Sequence, residues 1–158
     1  METKKEAITN NETRKHILNV AKYINIVIYH LLDRAQKHDE TKFSEPELPL
    51  FVKLTDKLSQ STYGSAEHTA MLKKLKPALD HHYATNRHHP EHYPNGIEDM
   101  TLIDLVEMLC DWKASTLRHE DGNILKSIEI NTDRFKINPQ LAKILQNTVE
   151  LFDHTDTF

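Results

Sequence analysis

The chain has 158 residues, of which 38% are hydrophobic and 28% are charged, and its formal net charge is -4. This composition is typical of one globular domain with a hydrophobic core and unlike that of disordered chains. We expect no duplex nucleic acid as the main partner, because phosphate backbones select for clustered Lys and Arg and the chain has no long basic run. A small anionic ligand in a local basic pocket remains compatible with this charge.

The apolar runs and the cysteine count argue against a membrane protein, a secreted protein and a disulfide-rich protein. The apolar runs are too short to cross a bilayer, and the N-terminal segment lacks the apolar core of a signal peptide. The single cysteine, Cys110, rules out a disulfide framework and a zinc site built from several thiolates. We therefore expect a cytoplasmic protein without a membrane partner.

Hydrophobic residues recur with helical spacing along most of the chain, and no segment alternates as a strand does. The apolar stripe from Ile17 onwards predicts a first helix at roughly 12–37, preceded by about eleven flexible residues. Ser44 and Glu47 match a capping box and predict a second helix at about 45–59. After a break at 61–65, a third helix is predicted at about 66–87, with a bend at Pro77.

The second half of the chain begins with a loop, since residues 88–100 contain two prolines and a glycine. Thr101 and Asp104 cap a fourth helix predicted at about 102–119, and a fifth is predicted at about 124–135. Asn138 and Pro139 suit the start of a last helix, at about 139–152. The pattern predicts an all-α fold, a single domain of about six helices over 1–158, with C-terminal helices in 121–158.

Histidines are concentrated in one segment, because five of the eleven lie between residues 81 and 92. In a helix that reaches residue 89, two neighbouring strips form, and either suits a metal ion or a phosphate. One strip holds His82, Asn86 and His89, and the other holds His81, Thr85, His88 and His92. We expect the segment to line a pocket mouth where His88 or His89 contacts substrate phosphate, with metal ligation as the less favoured role.

His38 and Asp39 are adjacent near the end of the first predicted helix. An imidazole beside a carboxylate suits a divalent transition metal such as Mn, Fe, Co, Ni or Zn. His16 is a candidate further ligand, but it lies 22 residues upstream, which is about 33 Å of helix. The chain would have to break after His30 for His16 and His38 to share an ion. His30 is the rival ligand, and the spacing does not choose between them.

Three carboxylates, those of Asp104, Glu107 and Asp111, lie at i, i+3 and i+7 and therefore share one side of the fourth helix. Acidic helix faces are usually solvated. Glu107 and Asp111 differ because large apolar residues surround them in "VEMLCDW", and buried carboxylates need partners. The pattern predicts that these two carboxylates meet histidines or a metal ion.

These signals together resemble the HD-domain superfamily of metal-dependent phosphohydrolases. That resemblance implies an HD-domain-like fold with a metal-site core in 12–120 and one metal ion held by His16, His38, Asp39 and Asp111. Phosphodiesterases of the superfamily often add a second metal, for which His82 and His89 are the candidates, although their spacing is tighter than usual. The chain is also similar to an uncharacterised family of small phage and bacterial proteins, through "HILNV", "HDETKF", "NRHHPEHY" and "EMLCDWKA".

The function implied by the resemblance is hydrolysis of a nucleotide or similar small phosphorylated metabolite by a metal-dependent phosphohydrolase. Glu107 would orient a histidine or act as general base, His88 or His89 would protonate the leaving oxygen, and Lys42 would neutralise phosphate. The substrate-binding candidates are Lys42, Asn86, Arg87, His88, His89 and Lys113.

Two other functions are weighed against this one. A non-catalytic module that binds a nucleotide or signal molecule needs no water-activating metal, whereas a di-iron HD-type oxygenase needs both His82 and His89 as ligands. The sequence leaves the oligomeric state open, with a homodimer as one option, and a phage-encoded chain would act in the host cytoplasm.

Overall fold

The computed structural model describes residues 2–60, 66–118 and 122–153, without the side chains of 55–60, 66–69, 72 and 153. Within these ranges the regular structure is helical and no strand occurs, which confirms the all-α prediction of six α-helices. No helix in this part of the chain is long and apolar enough to cross a membrane. The chain divides into two compact units, Met1–Lys37 and His38–Phe158. Each unit is described by itself, and the single domain stays a prediction.

The first unit consists of one helix, α1 (Lys4–Lys37), with no buried residue. Its predicted start near residue 12 is too late, and residues 4–11 are helical where flexibility was expected. Thr3 and Glu6 explain the early start, because the backbone N–H of Thr3 donates to the Glu6 carboxylate over 2.7 Å and the N–H of Glu6 donates back to Thr3 Oγ1 over 3.3 Å. This reciprocal pair is a capping box.

The second unit starts with a 3-10 turn, Glu40–Phe43, followed by α2 (Glu47–Gln60) and α3 (Ala66–Thr85). Both helices begin within two residues of their predicted starts, while the predicted break at 61–65 lies outside the described residues. Pro77 lies inside α3. The two helices contribute the buried apolar residues Leu54, Met71, Leu75 and Ala78.

Three helices complete the second unit: α4 (Leu102–Thr116), α5 (Ile124–Phe135) and α6 (Pro139–Thr148), and a 3-10 turn, Val149–Asp153, follows. Helix α4 ends at Thr116, three residues before its predicted end. The predicted last residue, His119, lies outside the described residues. Asn138 caps α6 as predicted, since its side chain accepts from Gln140 N over 2.9 Å. Their core consists of Leu105, Met108, Leu109, Trp112, Ile128, Ile137, Ala142, Leu145 and Val149.

The predicted loop between α3 and α4 contains two 3-10 turns, Pro90–His92 and Gly96–Asp99. Asp104, at the start of α4, anchors this loop. It is 1% exposed, forms the predicted capping box with Thr101, and accepts from Tyr93 Oη over 2.8 Å and from Arg87 Nε over 3.3 Å. Burial opposes ionisation, but the hydrogen bonds from Thr101 and Arg87 prevail and lower the pKa of Asp104 to about 2.

We expect Asp104→Ala to lower the free energy of unfolding by about 2–4 kcal/mol, because hydrogen bonds to a charged group each contribute roughly 1.5–3 kcal/mol. Asp99→Ala is the matched control, since Asp99 is exposed and, among the described residues, accepts hydrogen bonds from Asn95 alone. Urea denaturation of both variants measures the difference.

The same carboxylate predicts a pH dependence. Its folded pKa lies below the ordinary value of 3.8, so its contribution is present above about pH 4 and is lost as pH falls towards 2. Equal stability losses in the Asp104 and Asp99 variants would contradict the anchoring role.

Candidate metal centre

His38 and Asp39 begin the second unit. Asp39 has a positive φ of 57°, a left-handed conformation that Asp adopts more readily than most residues. The 3-10 turn that follows brings Lys42 next to Asp39, and the Lys42 ammonium donates a hydrogen bond to Asp39 Oδ2. The predicted His-Asp pair therefore lies in a turn and not on a regular helix.

His88 and His89 lie in the turn after α3, because that helix ends at Thr85. The two strips required a helix that reaches residue 89, and this condition is not met. Asn86 holds the turn, since its side-chain Nδ2 donates to His82 O and to Thr41 Oγ1, each over 2.9 Å. The turn places the His88 ring 4.1 Å from that of His89 and the His89 ring 4.8 Å from that of His82, between centroids.

A first donor group surrounds Asp39 Oδ1. The Nε2 atoms of His82 and His88 lie 3.2 Å and 3.5 Å from this oxygen, and His89 Nε2 lies 2.9 Å from His82 Nε2. Each of these four residues offers one ligand atom, and the four atoms lie within 4.8 Å of one another. Three imidazoles and one carboxylate are thus arranged as the ligands of one metal ion would be.

A second donor group lies on the other side of the Asp39 carboxylate. His38 Nε2 is 3.5 Å from Asp39 Oδ2 and 3.7 Å from Asp111 Oδ1. These three residues also offer ligand atoms within 4.8 Å of one another. Asp39 belongs to both groups, so one carboxylate faces two candidate ion positions.

Two buried glutamates hold the opposite edges of the histidine rings. Glu107 Oε1 lies 2.9 Å from His38 Nδ1 and 3.1 Å from His88 Nδ1, and Glu47 Oε2 lies 3.0 Å from His82 Nδ1. A carboxylate accepts, so each Nδ1 carries the proton, and in a neutral ring Nε2 is then the bare acceptor. This is the arrangement in which carboxylates orient metal-binding histidines. The orienting role of Glu107 at a metal stays a prediction.

In neutral rings, the bare Nε2 atoms of His82 and His88 face Asp39 Oδ1, so hydrogen-bond acceptors face another acceptor. Asp39 Oδ1 and His88 Nε2 are buried, and neither has a hydrogen-bond partner within the described part of the chain. Buried acceptors without donors are costly. A metal cation between them removes this cost, so the residues fit a metal centre on geometric grounds.

The electrostatics of the cluster also favour a cation. Hydrogen bonds to Asp111 and Glu107 raise the pKa of His38 to about 10. Burial opposes the ionisation of Asp39, yet its proximity to His82 and the hydrogen bond from the Lys42 ammonium hold its pKa well below its usual range. The negative charge that favours a proton on His38 equally favours a metal ion in its place.

The pKa of His89 is shifted in the opposite direction from that of His38. Burial, followed by the neighbouring histidines, lowers its pKa to about 3. The ring is then neutral at pH 7, which suits a metal ligand and argues against the predicted role of His89 as a general acid.

Other predicted residues lie elsewhere. Arg87 pairs with Asp104 over 3.3 Å, so its contacts belong to the loop anchor. Lys113 lines a separate cavity of about 330 Å³ with residues that include Leu117 and Val149. His92 Nδ1 lies 3.2 Å from the carbonyl oxygen of Tyr83. The structure brings together His38, Asp39, His82, His88, His89, Glu107 and Asp111.

His16 and His30 belong to α1, in the first unit. That helix is continuous from Lys4 to Lys37, so the break that His16 required in order to share an ion with His38 of the same chain does not occur. Along the helix axis, His16 lies about 32 Å before Lys37. Ligation by His30 stays a prediction.

The sequence reasoning missed Glu47, which is 0% exposed and also accepts from His81 Nδ1 over 2.8 Å. Its position in a capping-box pattern concealed this role. A glutamate near the start of a helix is explained by capping alone, so the sequence offered no reason to assign it to the site. The packing of α2 against α3 brings Glu47 next to His81 and His82.

Comparison with known proteins identifies a family. A family model described as "Family of unknown function (DUF5662)" matches residues 5–151. The chain belongs to this family. No curated protein and no solved structure matches it. The DUF5662 match includes every residue of the two donor groups and all of α2 to α6, while the relation to HD-domain phosphohydrolases stays a resemblance.

We expect metal binding to the metal-free protein to release about one proton per ion bound beside His38 at pH 7, because the pKa of His38 near 10 keeps that ring protonated until the ion displaces the proton. Affinity should therefore fall as pH falls. Isothermal titration with Zn²⁺ in two buffers of different ionisation enthalpy counts the protons. His38→Gln should remove this release, and an unchanged release would contradict the assignment.

Proposed function

We propose that the chain is a metal-dependent phosphohydrolase with two divalent transition-metal ions that share Asp39. The observation that carries this proposal is the convergence of three histidine Nε2 atoms on both oxygens of one carboxylate, with each Nδ1 held by a buried glutamate. Nitrogen and oxygen donors without a thiolate suit Mn, Fe, Co, Ni or Zn. The single cysteine, Cys110, is exposed and takes no part.

The two ions would take different ligands from the chain. The first would be held by Asp39, His82, His88 and His89, and the second by His38, Asp39 and Asp111. This proposal makes His88 and His89 ligands and not phosphate contacts. The described residues provide three ligands at the second position, which would leave coordination positions for water and substrate.

Metal ions in such a centre lower the pKa of a bound water and polarise a phosphoryl oxygen. The chain supplies the remaining functions. Glu107 and Glu47 fix the ring orientations, and Lys42 lies beside Asp39, where its ammonium would neutralise part of the phosphate charge. A nucleotide or similar small phosphorylated metabolite is the proposed substrate class.

One observation favours a second candidate function. A di-iron oxygenase requires both His82 and His89 as ligands, and both lie in the first donor group. Metal analysis of the purified protein, phosphate release from a panel of phosphomonoesters and oxygen consumption separate the two reactions. Phosphate release without oxygen uptake supports the hydrolase, and iron with oxygen uptake alone supports the oxygenase.

We expect His88→Gln to lose at least one of two metal equivalents per chain, because the ring nitrogen that faces Asp39 is removed. His92→Gln is the control from the same loop, since His92 contacts the carbonyl of Tyr83 and the ring of Tyr93 and belongs to neither donor group. Elemental analysis measures metal content, and circular dichroism checks that both variants keep their helices. Two full equivalents in His88→Gln would exclude His88 as a ligand.

We also expect Glu107→Gln to weaken metal affinity or turnover by about 10–100-fold, the usual effect of removing an outer carboxylate. A glutamine side chain is similar in size, so the fold should persist. Glu98→Gln on the exposed loop is the control and should bind metal as the original chain does. Competition with a chromogenic chelator gives the affinities. Equal metal affinities in Glu107→Gln and Glu98→Gln would contradict the orienting role of Glu107.

A further inference from the structure

A polar cavity adjoins both donor groups. It has a volume of about 230 Å³, and its lining includes His89 of the first group and Asp111 of the second. The other lining residues come from Tyr83, from the turn at Pro90 and Glu91, from the end of α4 and from one face of α5. A molecule in this cavity would therefore have one end at the metal centre and the other against α5.

The α5 side of the cavity offers hydrogen-bonding groups at regular intervals. Ser127, Asn131 and Arg134 are spaced i, i+4 and i+7, so they share one helix face. Asn131 Nδ2 donates to the Ser127 carbonyl over 3.0 Å, which fixes the direction of the amide. An amide and a hydroxyl on one face can each donate to and accept from a ligand.

Arg134 and Glu91 add a charged pair at the cavity, joined over 2.6 Å. A guanidinium has five N–H donors, so contact with one carboxylate leaves donors for a ligand. Glu91 is acceptor-only when ionised. Neighbouring donors and acceptors suit the hydroxyl groups of a sugar, each of which donates and accepts.

Two aromatic residues also line the cavity, Trp112 from α4 and Phe135 from α5. The Trp112 ring is parallel to Phe135, with an interplanar angle of 5° and centroids 6.4 Å apart, and both residues line the cavity. Aromatic rings provide apolar contact surface for the carbon face of a ligand. The volume lies below the roughly 300–1,000 Å³ of sites for drug-sized ligands, so the enclosed group is small.

We propose that this cavity binds the polyhydroxylated part of a small sugar phosphate, and that Asn131 and Arg134 determine this specificity. The inference rests on the proposed function, because the metal centre would hold the phosphoryl group. It narrows the substrate class from nucleotides in general to sugar or polyol phosphates. Ser127, Asn131 and Arg134 come from a helix to which the sequence assigns no functional role.

The test uses the metal-loaded full chain, whose single tryptophan, Trp112, lines the cavity and reports binding by fluorescence. Ribose 5-phosphate, glucose 6-phosphate and glycerol 3-phosphate are the probes, and p-nitrophenyl phosphate is the comparison without sugar hydroxyls. We expect at least one sugar or polyol phosphate to bind more tightly than p-nitrophenyl phosphate. Asn131→Ala should weaken that binding by about tenfold, the effect of one lost hydrogen bond.

Two readouts separate this inference from the proposed function. For Asn131→Ala and Arg134→Met, kcat/KM should fall several-fold more for the sugar phosphate than for p-nitrophenyl phosphate, with metal content unchanged. Glu129→Gln, exposed on α5 and outside the cavity lining, is the control. Hydrolysis of p-nitrophenyl phosphate without preference for any sugar phosphate overturns the specificity inference alone. Tight sugar-phosphate binding that Asn131→Ala weakens, without hydrolysis, overturns the proposed function and supports the cavity as a binding site.

Discussion

The buried Oδ1 atom of the Asp39 carboxylate faces the Nε2 atoms of His82 and His88, and the proposed metal centre depends on this contact. Three rings have their Nδ1 atoms held by glutamates, so their Nε2 atoms face oxygens that cannot donate. Two of the buried atoms have no hydrogen-bond partner among the described residues. A cation between these acceptors would satisfy them. The surrounding helices and turns supply the residues that would bind the cation and the glutamates that hold the histidine rings.

Each helix near the centre contributes one part of that arrangement. Helix α2 brings Glu47 to His82 on α3, and α4 brings Glu107 to His38 and His88. The glutamates are buried more deeply than surface carboxylates because they lie between packed helices. Removal of either carboxylate would allow a histidine ring to rotate. The orientation of the candidate ligands therefore depends on the packing of α2, α3 and α4.

The substrate side of the centre is built from different helices. The cavity beside His89 and Asp111 is closed by α5, whose inner face carries Ser127, Asn131 and Arg134. Helix α5 is held by the same core that fixes α4, through Ile128 and Trp112. A shared core thus sets the distance between the proposed phosphoryl position and the proposed sugar subsite. Membership of the DUF5662 family, which covers residues 5–151, places all of these elements within one family unit.

The local sequence determined the helices and the identity of most donors. Apolar spacing predicts α2 to α6 within a few residues, and the caps at Thr101 and Asn138 form as predicted because capping depends on residues three or fewer apart. The "VEMLCDW" segment predicted that Glu107 and Asp111 meet histidines or a metal ion, and both carboxylates do lie beside His38. Only the tertiary structure decided which histidines and carboxylates come into contact. The end of α3 at Thr85 redirects His88 and His89, and the packing of α2 against α3 recruits Glu47. Contacts between residues 35 to 69 positions apart depend on how helices pack, and no local pattern encodes that packing.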